Sequence, residues 1–358
     1  MNKIKWKKVV TREFSFLWAS YTADVYKIMR KMAGTTLKYN LFYTEDRILT
    51  IYRDPADVEN SYKLIDDLVK KNYKRALENM DLFESCMKDG YRLFAEIQKI
   101  GSDDKKRVSD LLLKLDKTFI KIIGYYLFVV FLGYGGNYKS SKKFIEDHTK
   151  QFERIRMCSM DADMNRQFPK LFGKYDERLR EHALYMSRKE LIDYVKGKKV
   201  DWNRVVARHK HALLIVKNNV GKEYPAEKIK KIISQELSHI KYDQGAKTIK
   251  GVVAFKGKVK GRVVKIMSKD EYKNIKEGDI VVTPMTKPDI IPYLRGVRGI
   301  ITNDGGALSH ASIISREMKI PCMVGTIYAT DILKDNEEIL LNADEGIIKR
   351  LSKKLHTL

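Results

Sequence analysis

The spacing of apolar residues changes once along this chain, near residues 244–247, and that change limits the folds open to it. Upstream, apolar residues recur mostly at the three- and four-residue spacing of one helix face. Downstream come short β-branched runs bounded by glycines, with one helical stretch over residues 309–318. We therefore predict an α+β multidomain protein, with a mostly α-helical domain over residues 1–245 and a compact α/β domain over residues 250–358.

Three segments of the helical part carry more specific signals. Runs of aromatic and β-branched residues at 39–44 and 47–52 predict a small β-hairpin. Helical spacing over residues 202–218 predicts a helix there. Residues 122–134 contain no charge but fall short of the roughly 20 residues that a bilayer span needs, so we predict a buried central helix and no membrane contact.

The chain is strongly basic, with a net charge of +24 over 358 residues. Residues 251–358 hold 18 basic and 13 acidic residues, which leaves 52 basic and 33 acidic residues upstream. Such an excess suits an anionic partner, or it reflects a lysine-rich proteome. It is spread through the helical segments and forms no arginine-rich block, which does not favour nucleic acid as the partner.

Cysteine usage indicates the compartment. The three cysteines are far apart and odd in number, so they form neither a disulfide framework nor a paired-cysteine zinc site. The first residues are basic but are not followed by the apolar core of a signal peptide. We predict a cytoplasmic protein without a metal site.

The segment with the clearest signs of a functional site is residues 302–317, TNDGGALSHASIISRE. A strand ends there, Gly305 and Gly306 follow, and a helix begins with His310 in or near its first turn. Paired glycines let backbone N–H groups approach an anion, and a helix N-terminus favours negative charge. A histidine at that position tends to stay neutral and nucleophilic. These features suit a transient N-phosphohistidine, although a capping or surface histidine would show the same local pattern.

Other residues around His310 allow two roles each. Ser309 could bond the imidazole or a phosphate, or could only cap the helix. Arg316, six residues on, could contact a phosphoryl group or pair with a carboxylate. Cys322 lies in an apolar strand and is predicted to be a core residue.

The same segment resembles a known family. Residues 305–325, GGALSHASIISREMKIPCMVG, are similar to the phosphohistidine signature of the phosphoenolpyruvate-utilising enzymes, and most similar to the rifampicin phosphotransferase and phosphoenolpyruvate synthase branch. Residues 277–284 and 286–289 resemble the strand and loop upstream of that signature. The resemblance implies a swivelling β/β/α domain in which Nε2 of His310 carries the phosphoryl group and Gly305, Gly306, Ser309 and Arg316 cradle it.

Two positions depart from the family pattern. Leu308 stands where many members have threonine. Leucine at this position is similar to the rifampicin phosphotransferase branch. Asn342-Ala343 replaces an Asp-Gly near the end of the domain, which puts a turn there in doubt.

Residues 1–245 show no glycine-rich phosphate loop and no alternating strand–helix series. We therefore predict the phosphoryl-carrier component of a split phosphotransferase, inactive without a partner. A separate donor protein would phosphorylate His310. The donor would be of the ATP-grasp type, with ATP and Mg²⁺ bound to it, or would bind phosphoenolpyruvate. The helical domain would bind a small-molecule acceptor, dock the partner, or both. The alternatives are a non-catalytic interaction or regulatory protein that retains the mobile-domain fold, and a basic helical nucleic-acid binder.

A weaker resemblance lies upstream: residues 185–191, followed by Arg204 and Arg208, resemble the helical segment that precedes the histidine domain in rifampicin-phosphotransferase-like proteins, and residues 6–17 resemble the start of that segment. Four further basic residues of the helical part have no such counterpart. Arg178, Arg180, His209 and His211 could bind an anionic or aromatic ligand. They could equally lie on solvated helix faces.

Overall fold

The structure is a computed structural model that describes residues 4–12, 15–33, 37–45, 48–101, 103–134, 138–156, 160–240, 245–306 and 309–351. The chain divides into two compact units. The helical unit comprises residues 1–9 and 14–237, and the C-terminal unit comprises residues 10–13 and 238–358. Each unit has its own core and is described by itself.

Most of the helical unit consists of helices that pack around one long central helix, α4. Within α4, Phe128 and Leu132 are fully buried, so the prediction of a buried helix over residues 122–134 is confirmed. None of the helices in the described part of the chain combines the length and hydropathy that a bilayer span requires. The helices are α1 Phe16–Ala33, α2 Pro55–Lys71, α3 Tyr73–Lys99, α4 Lys105–Tyr134, α5 Lys139–Asp147, α6 Thr149–Arg156, α7 Met160–Gly173, α8 Arg178–His182, α9 Arg188–Val195, α10 Trp202–Ala207 and α11 Ala226–Glu236.

Local sequence sets several of these helix ends. Asn72 separates α2 from α3, and its side chain accepts a hydrogen bond from the backbone N–H of Arg75 in the first turn of α3. Ser187 and Glu190 form a reciprocal capping box at the start of α9. The side chains of these caps satisfy backbone groups that would otherwise lack partners, which fixes where each helix begins.

A five-stranded sheet accompanies the helices, in the order β1-β3-β2-β4-β5. The predicted hairpin is confirmed as β2 and β3, which pair antiparallel; Asp46 and Arg47 of the predicted hairpin lie outside the described residues. β4 pairs antiparallel with both β2 and β5. The strands are β1 Lys7–Arg12, β2 Tyr39–Glu45, β3 Ile48–Arg53, β4 His211–Lys217 and β5 Val220–Tyr224.

The prediction of a helix over residues 202–218 was wrong beyond its first turns. α10 ends at Ala207, and residues 211–217 form β4 instead. The run from Ala212 to Val216 is buried throughout because β4 has strands on both sides and because α1 and α11 also pack against it. A strand buried in this way shows continuous apolar residues, and periodicity alone cannot distinguish such a run from a buried helix.

The C-terminal unit is built on an eight-stranded sheet in the order β6-β13-β12-β8-β9-β10-β11-β7. β8, β9, β10 and β11 run parallel to one another, and all other pairings of the sheet, including β12 with β8 and β7 with β11, are antiparallel. Two helices, α12 His310–Met318 and α13 Ala329–Ile332, complete the unit. The strands are β6 Thr248–Lys250, β7 Val252–Phe255, β8 Lys258–Lys265, β9 Asp279–Thr283, β10 Gly299–Thr302, β11 Cys322–Val324, β12 Glu338–Asn342 and β13 Ile347–Arg350.

Successive residues of the parallel strands point to two different apolar layers. In β10, Ile300 packs in a cluster with Ala311 and Ile314 of α12, while Ile301 packs in another with Ala329 of α13. Both faces of the central strands are therefore covered, as parallel sheets require. The predicted fold class, a mostly helical part followed by an α/β part, is confirmed.

The turn near the end of the C-terminal unit, where Asn342-Ala343 replaces the Asp-Gly of the family pattern, is closed by the side chain of Asn342. Oδ1 of Asn342 accepts hydrogen bonds from the backbone N–H groups of Asp344 and Glu345, both at 3.3 Å. An asparagine side chain can close a turn in this way. Leu308, the other departure from the family pattern, lies outside the described residues.

Candidate functional site

The candidate site lies where two neighbouring parallel strands end. β9 and β10 pair with Thr283 opposite Thr302, so both strands finish at the same edge of the sheet. The backbone N–H of Asn303 donates to the carbonyl of Thr283 at 3.2 Å, which keeps the two chains together beyond the strands. The loops that follow carry Thr286 on one side and the glycine turn on the other. In open parallel sheets, this edge is where ligands bind.

The glycine turn and the start of α12 form one hydrogen-bonded element. Gly305 has a φ of +116°, and a Cβ atom there would lie 2.9 Å from Oγ of Ser309, so a side chain is disfavoured. The carbonyl of Gly306 accepts from the backbone N–H of Ser309 at 2.9 Å and from Oγ of Ser312 at 2.7 Å. Ser309 is the N-cap of α12 and accepts from the N–H of Ser312. The structure thus brings Gly305, Gly306 and Ser309 together beside His310.

A buried side-chain pair anchors the beginning of this loop. Nδ2 of Asn303 donates to Oγ1 of Thr330 at 2.5 Å, and the backbone N–H of Thr330 donates to Oδ1 of Asn303 at 3.0 Å. Both residues are almost fully buried. The end of β10 is therefore fixed to α13 through both polar atoms of one amide.

His310 is the first residue of α12 and is half-buried. Its Nδ1 lies 2.9 Å from Oγ1 of Thr286, a side chain that is only 3% exposed. Burial lowers the pKa of His310 below its ordinary value, although the negative charges of Asp289 and Glu317 act in the opposite direction. The lowered pKa favours the neutral form of the imidazole at neutral pH. Because Thr286 contacts Nδ1, Nε2 is the ring nitrogen that this threonine does not contact.

Arg316 and Cys322 complete the residues singled out from the sequence. Arg316 is exposed, and its Nε donates to the carbonyl of Ser312 at 2.9 Å, one turn back on α12. The contact of Arg316 with a phosphoryl group stays a prediction. Cys322 is fully buried, and burial raises the pKa of its thiol to about 12, so it is a core residue as predicted.

Thr286 and Asp289 lie beside His310 but were not among the predicted site residues. Thr286 is 24 residues from His310 in sequence and reaches it only because β9 and β10 are adjacent and parallel. The signal that could have found both residues was their position, just after a buried strand in a segment that also matched the family pattern. Polar residues after the carboxyl ends of neighbouring parallel strands meet at one edge.

Two of the four upstream basic residues are paired with acidic neighbours. Arg178 binds both carboxylate oxygens of Asp176, and its guanidinium lies 4.8 Å from the ring centroid of Trp202. Arg180 pairs with Glu177. The guanidinium of Arg178 lowers the pKa of Asp176, which marks a closed ion pair and not a vacant anion site.

Comparison with known proteins agrees with the resemblance seen in the sequence. Residues 275–346 match the family model described as PEP-utilising enzyme, mobile domain. A probable phosphoenolpyruvate synthase of Methanothermobacter thermautotrophicus is 44% identical over 100 residues, which is 28% of this chain and 15% of that protein. The phosphoenolpyruvate synthase of Pyrococcus furiosus is 44% identical over 111 residues, which is 30% of this chain and 14% of that protein.

A rifampicin phosphotransferase of Bacillus cereus is 30% identical over a longer stretch of 176 residues, which is 48% of this chain and 19% of that protein. The C-terminal unit therefore contains a mobile domain of the phosphoenolpyruvate-utilising enzymes, as the sequence predicted. The chain spans less than a fifth of the length of each of these relatives.

Proposed function

We propose that the chain is a phosphoryl carrier in which Nε2 of His310 accepts a phosphoryl group and passes it to an acceptor. The observation that carries the proposal is the 2.9 Å contact between Nδ1 of His310 and Oγ1 of Thr286. When Nδ1 holds the ring proton and donates it to the hydroxyl, the lone pair of Nε2 is available for attack. The lowered pKa of His310 keeps the ring in its neutral, nucleophilic form.

The proposed transfer has two balanced steps. The lone pair of Nε2 forms a bond to phosphorus while the bond from phosphorus to the leaving oxygen breaks, and that electron pair departs with the donor. In the second step a nucleophile of the acceptor attacks phosphorus, and the electrons of the N–P bond return to Nε2. The proton on Nδ1 stays in place throughout. The N-terminus of α12, where His310 lies, favours the negative charge that the ring gains.

The proposed donor is a separate protein of the ATP-grasp type, or one that binds phosphoenolpyruvate, with ATP and Mg²⁺ bound there. The names of the relatives, phosphoenolpyruvate synthase and rifampicin phosphotransferase, support phosphoryl transfer that involves phosphoenolpyruvate or a small-molecule acceptor. Residues 1–245 contain no glycine-rich phosphate loop followed by a helix, which supports a role other than nucleotide binding for the helical unit.

We assign the helical unit the roles of binding a small-molecule acceptor and docking the donor, with the protein acting in the cytoplasm. The surplus of basic over acidic residues upstream of residue 251 supports docking of an acidic partner, because opposite charges accelerate encounter. Docking of this kind weakens as salt is added.

The test is phosphorylation of the purified chain with a candidate ATP-grasp protein, Mg²⁺ and ATP labelled at the β or γ position. We expect an acid-labile, base-stable phosphate on His310, and no label on the chain when the donor protein is omitted. The matched control is His148→Ala, which changes a histidine of the helical unit and should be labelled as the parent is. Undiminished labelling of His310→Ala would refute the assignment, and labelling of the chain alone would refute the separate donor.

A further inference from the structure

The helical unit contains a cluster of two imidazoles and a carboxylate. Glu181 and His182 lie at the end of α8, and His209 lies in the turn between α10 and β4. Nδ1 of His182 is 3.1 Å from Nε2 of His209. One potential ligand atom from each of the three side chains lies within 4.8 Å of the other two. Nothing in the proposed phosphoryl transfer uses these residues.

The spacing of the two imidazole nitrogens fits a shared metal ion. Zinc–imidazole bonds are about 2.0–2.1 Å long, and two nitrogens at the observed separation would subtend an angle of about 100° at an ion bonded to both. That angle lies between the values of octahedral and tetrahedral coordination. Without an ion, one of the two nitrogens must donate a proton to the other.

The ring of His209 is held in place by its neighbours. The ring of Tyr185 stacks on His209, with centroids 3.6 Å apart and planes 23° apart. Arg208, only 3% exposed, donates to the carbonyl of Tyr185 at 3.1 Å and pairs with Glu190 and Glu223. Because Tyr185 follows closely after His182, these contacts fix the turn at His209 relative to the end of α8. Such supporting contacts are what orient metal ligands in proteins.

The cluster is partly open to solvent. The side chain of His182 is 18% exposed, and that of Glu181 is 76% exposed, with its Oε2 4.0 Å from Nε2 of His182. Glu181 is therefore free of packing and can turn toward an ion held by the two imidazoles. Two imidazoles and one carboxylate, with room for water, form the donor set of open zinc sites. Divalent cations that prefer oxygen ligands alone are not suited to this set.

We propose that Glu181, His182 and His209 bind a divalent transition-metal ion, with Zn²⁺ as the ion that the donor set fits best. The prediction of no metal site rested on cysteine spacing, which carries no information about His182 and His209, 27 positions apart in the sequence. The ion would leave a coordination position open to water or to an anionic ligand. This proposal does not depend on the role of His310.

Isothermal titration of the full chain with Zn²⁺ near neutral pH tests the site. We expect one saturable equivalent per chain, and a cobalt-substituted protein with visible d–d absorption bands. Since loss of an outer-shell partner alone costs roughly 10–100-fold in metal affinity, we expect His182→Ala and His209→Ala each to cost at least about 100-fold. Glu181→Gln, at an exposed position that cannot disturb the fold, should cost roughly tenfold and change the cobalt spectrum.

Two controls separate this site from other histidines and from the proposed function. His148→Ala, in the same unit but outside the cluster, and His310→Ala should both bind Zn²⁺ as the parent does. Circular dichroism shows whether each variant is folded. The proposal is overturned if the parent shows no saturable binding, or if the affinity survives in His182→Ala, His209→Ala and Glu181→Gln alike.

Discussion

The two units of this protein use their polar side chains in opposite ways. In the C-terminal unit, His310 lies half-buried at a sheet edge, with one ring nitrogen bound to Thr286. In the helical unit, the partly buried guanidinium group of Arg188 is already bound by the carboxylates of Asp116 and Asp24, at 2.7–2.8 Å. The difference teaches that a basic composition does not by itself define an anion site, because buried arginines of this kind serve the fold.

The largest effect we expect is at Arg208, which is 3% exposed and bridges Glu190 and Glu223. Arg208→Ala leaves two partly buried carboxylates without their main cation, and such a loss costs about 3–5 kcal/mol in the free energy of unfolding. All three tryptophans precede residue 203, so urea denaturation followed by tryptophan fluorescence reports on this part of the chain.

Arg204→Ala is the matched control, because Arg204 binds the same Glu223 but its side chain is 51% exposed. An exposed pair contributes about 0–1 kcal/mol, so this variant should unfold close to the parent midpoint. Equal losses in the two variants would mean that burial does not separate structural from surface pairs here. The NMR signals of His310 should be unchanged in both.

The second effect is expected at the glycine pair of the C-terminal unit. Gly305→Ala introduces a Cβ at a φ of +116° and 2.9 Å from Oγ of Ser309, and strain of this kind costs about 1–3 kcal/mol. A Cβ at Gly306 would meet nothing within 4 Å, so Gly306→Ala should change stability by less than about 0.5 kcal/mol. Hydrogen exchange of β10 amides measures both. Equal protection in the two variants would contradict the strained turn.

A third, smaller effect is expected when the hydroxyl beside His310 is removed. Thr286→Val keeps the shape of the side chain but deletes the partner of Nδ1, and a hydrogen bond of this kind contributes about 1 kcal/mol. Phosphorylation of His310 should then slow by roughly fivefold. Thr286→Ser should recover the parent rate, because it restores the hydroxyl; failure of that rescue would indicate that packing and not hydrogen bonding matters.

The smallest effect concerns the pKa of His310. The negative charge of Asp289 raises this pKa, so Asp289→Asn should lower it further below the ordinary histidine value. Because the folded-state pKa is below the unfolded one, the protonated ring destabilises the fold, and stability falls as the pH drops through the unfolded value. An NMR titration of the imidazole gives the midpoint. An upward shift in Asp289→Asn would contradict the assigned sign.

The contrast between the units also explains what could be predicted from sequence. The glycine pair, Ser309 and His310 lie within a few residues of one another, so their local conformation follows from a helix start after a glycine turn. The capping box of Ser187 and Glu190 has the same kind of local cause. Features whose physical cause lies within one turn of helix can be predicted from residues that are neighbours in the sequence.

Features that depend on distant strands were not predictable in this way. β4 is a strand because β2 and β5 lie on its two sides, and nothing within residues 211–217 distinguishes that burial from a helix core. Thr286 contacts His310 because β9 and β10 are neighbours. The cluster of Glu181, His182 and His209 likewise requires the turn after α10 to return to the end of α8.

The buried pair of Asn303 and Thr330 affects the step at which the loop before His310 loses backbone conformational entropy. The loop that leads to His310 is attached at its first residue to α13 and ends at the N-cap Ser309. Fixing the backbone of a loop costs about 1–2 kcal/mol per residue in conformational entropy. Because both ends of this loop are fixed in the folded protein, part of that entropy is already lost when the chain folds. In the proposed transfer, the arriving phosphoryl group meets donors whose freedom has already been reduced, and less of its binding free energy is consumed in ordering them.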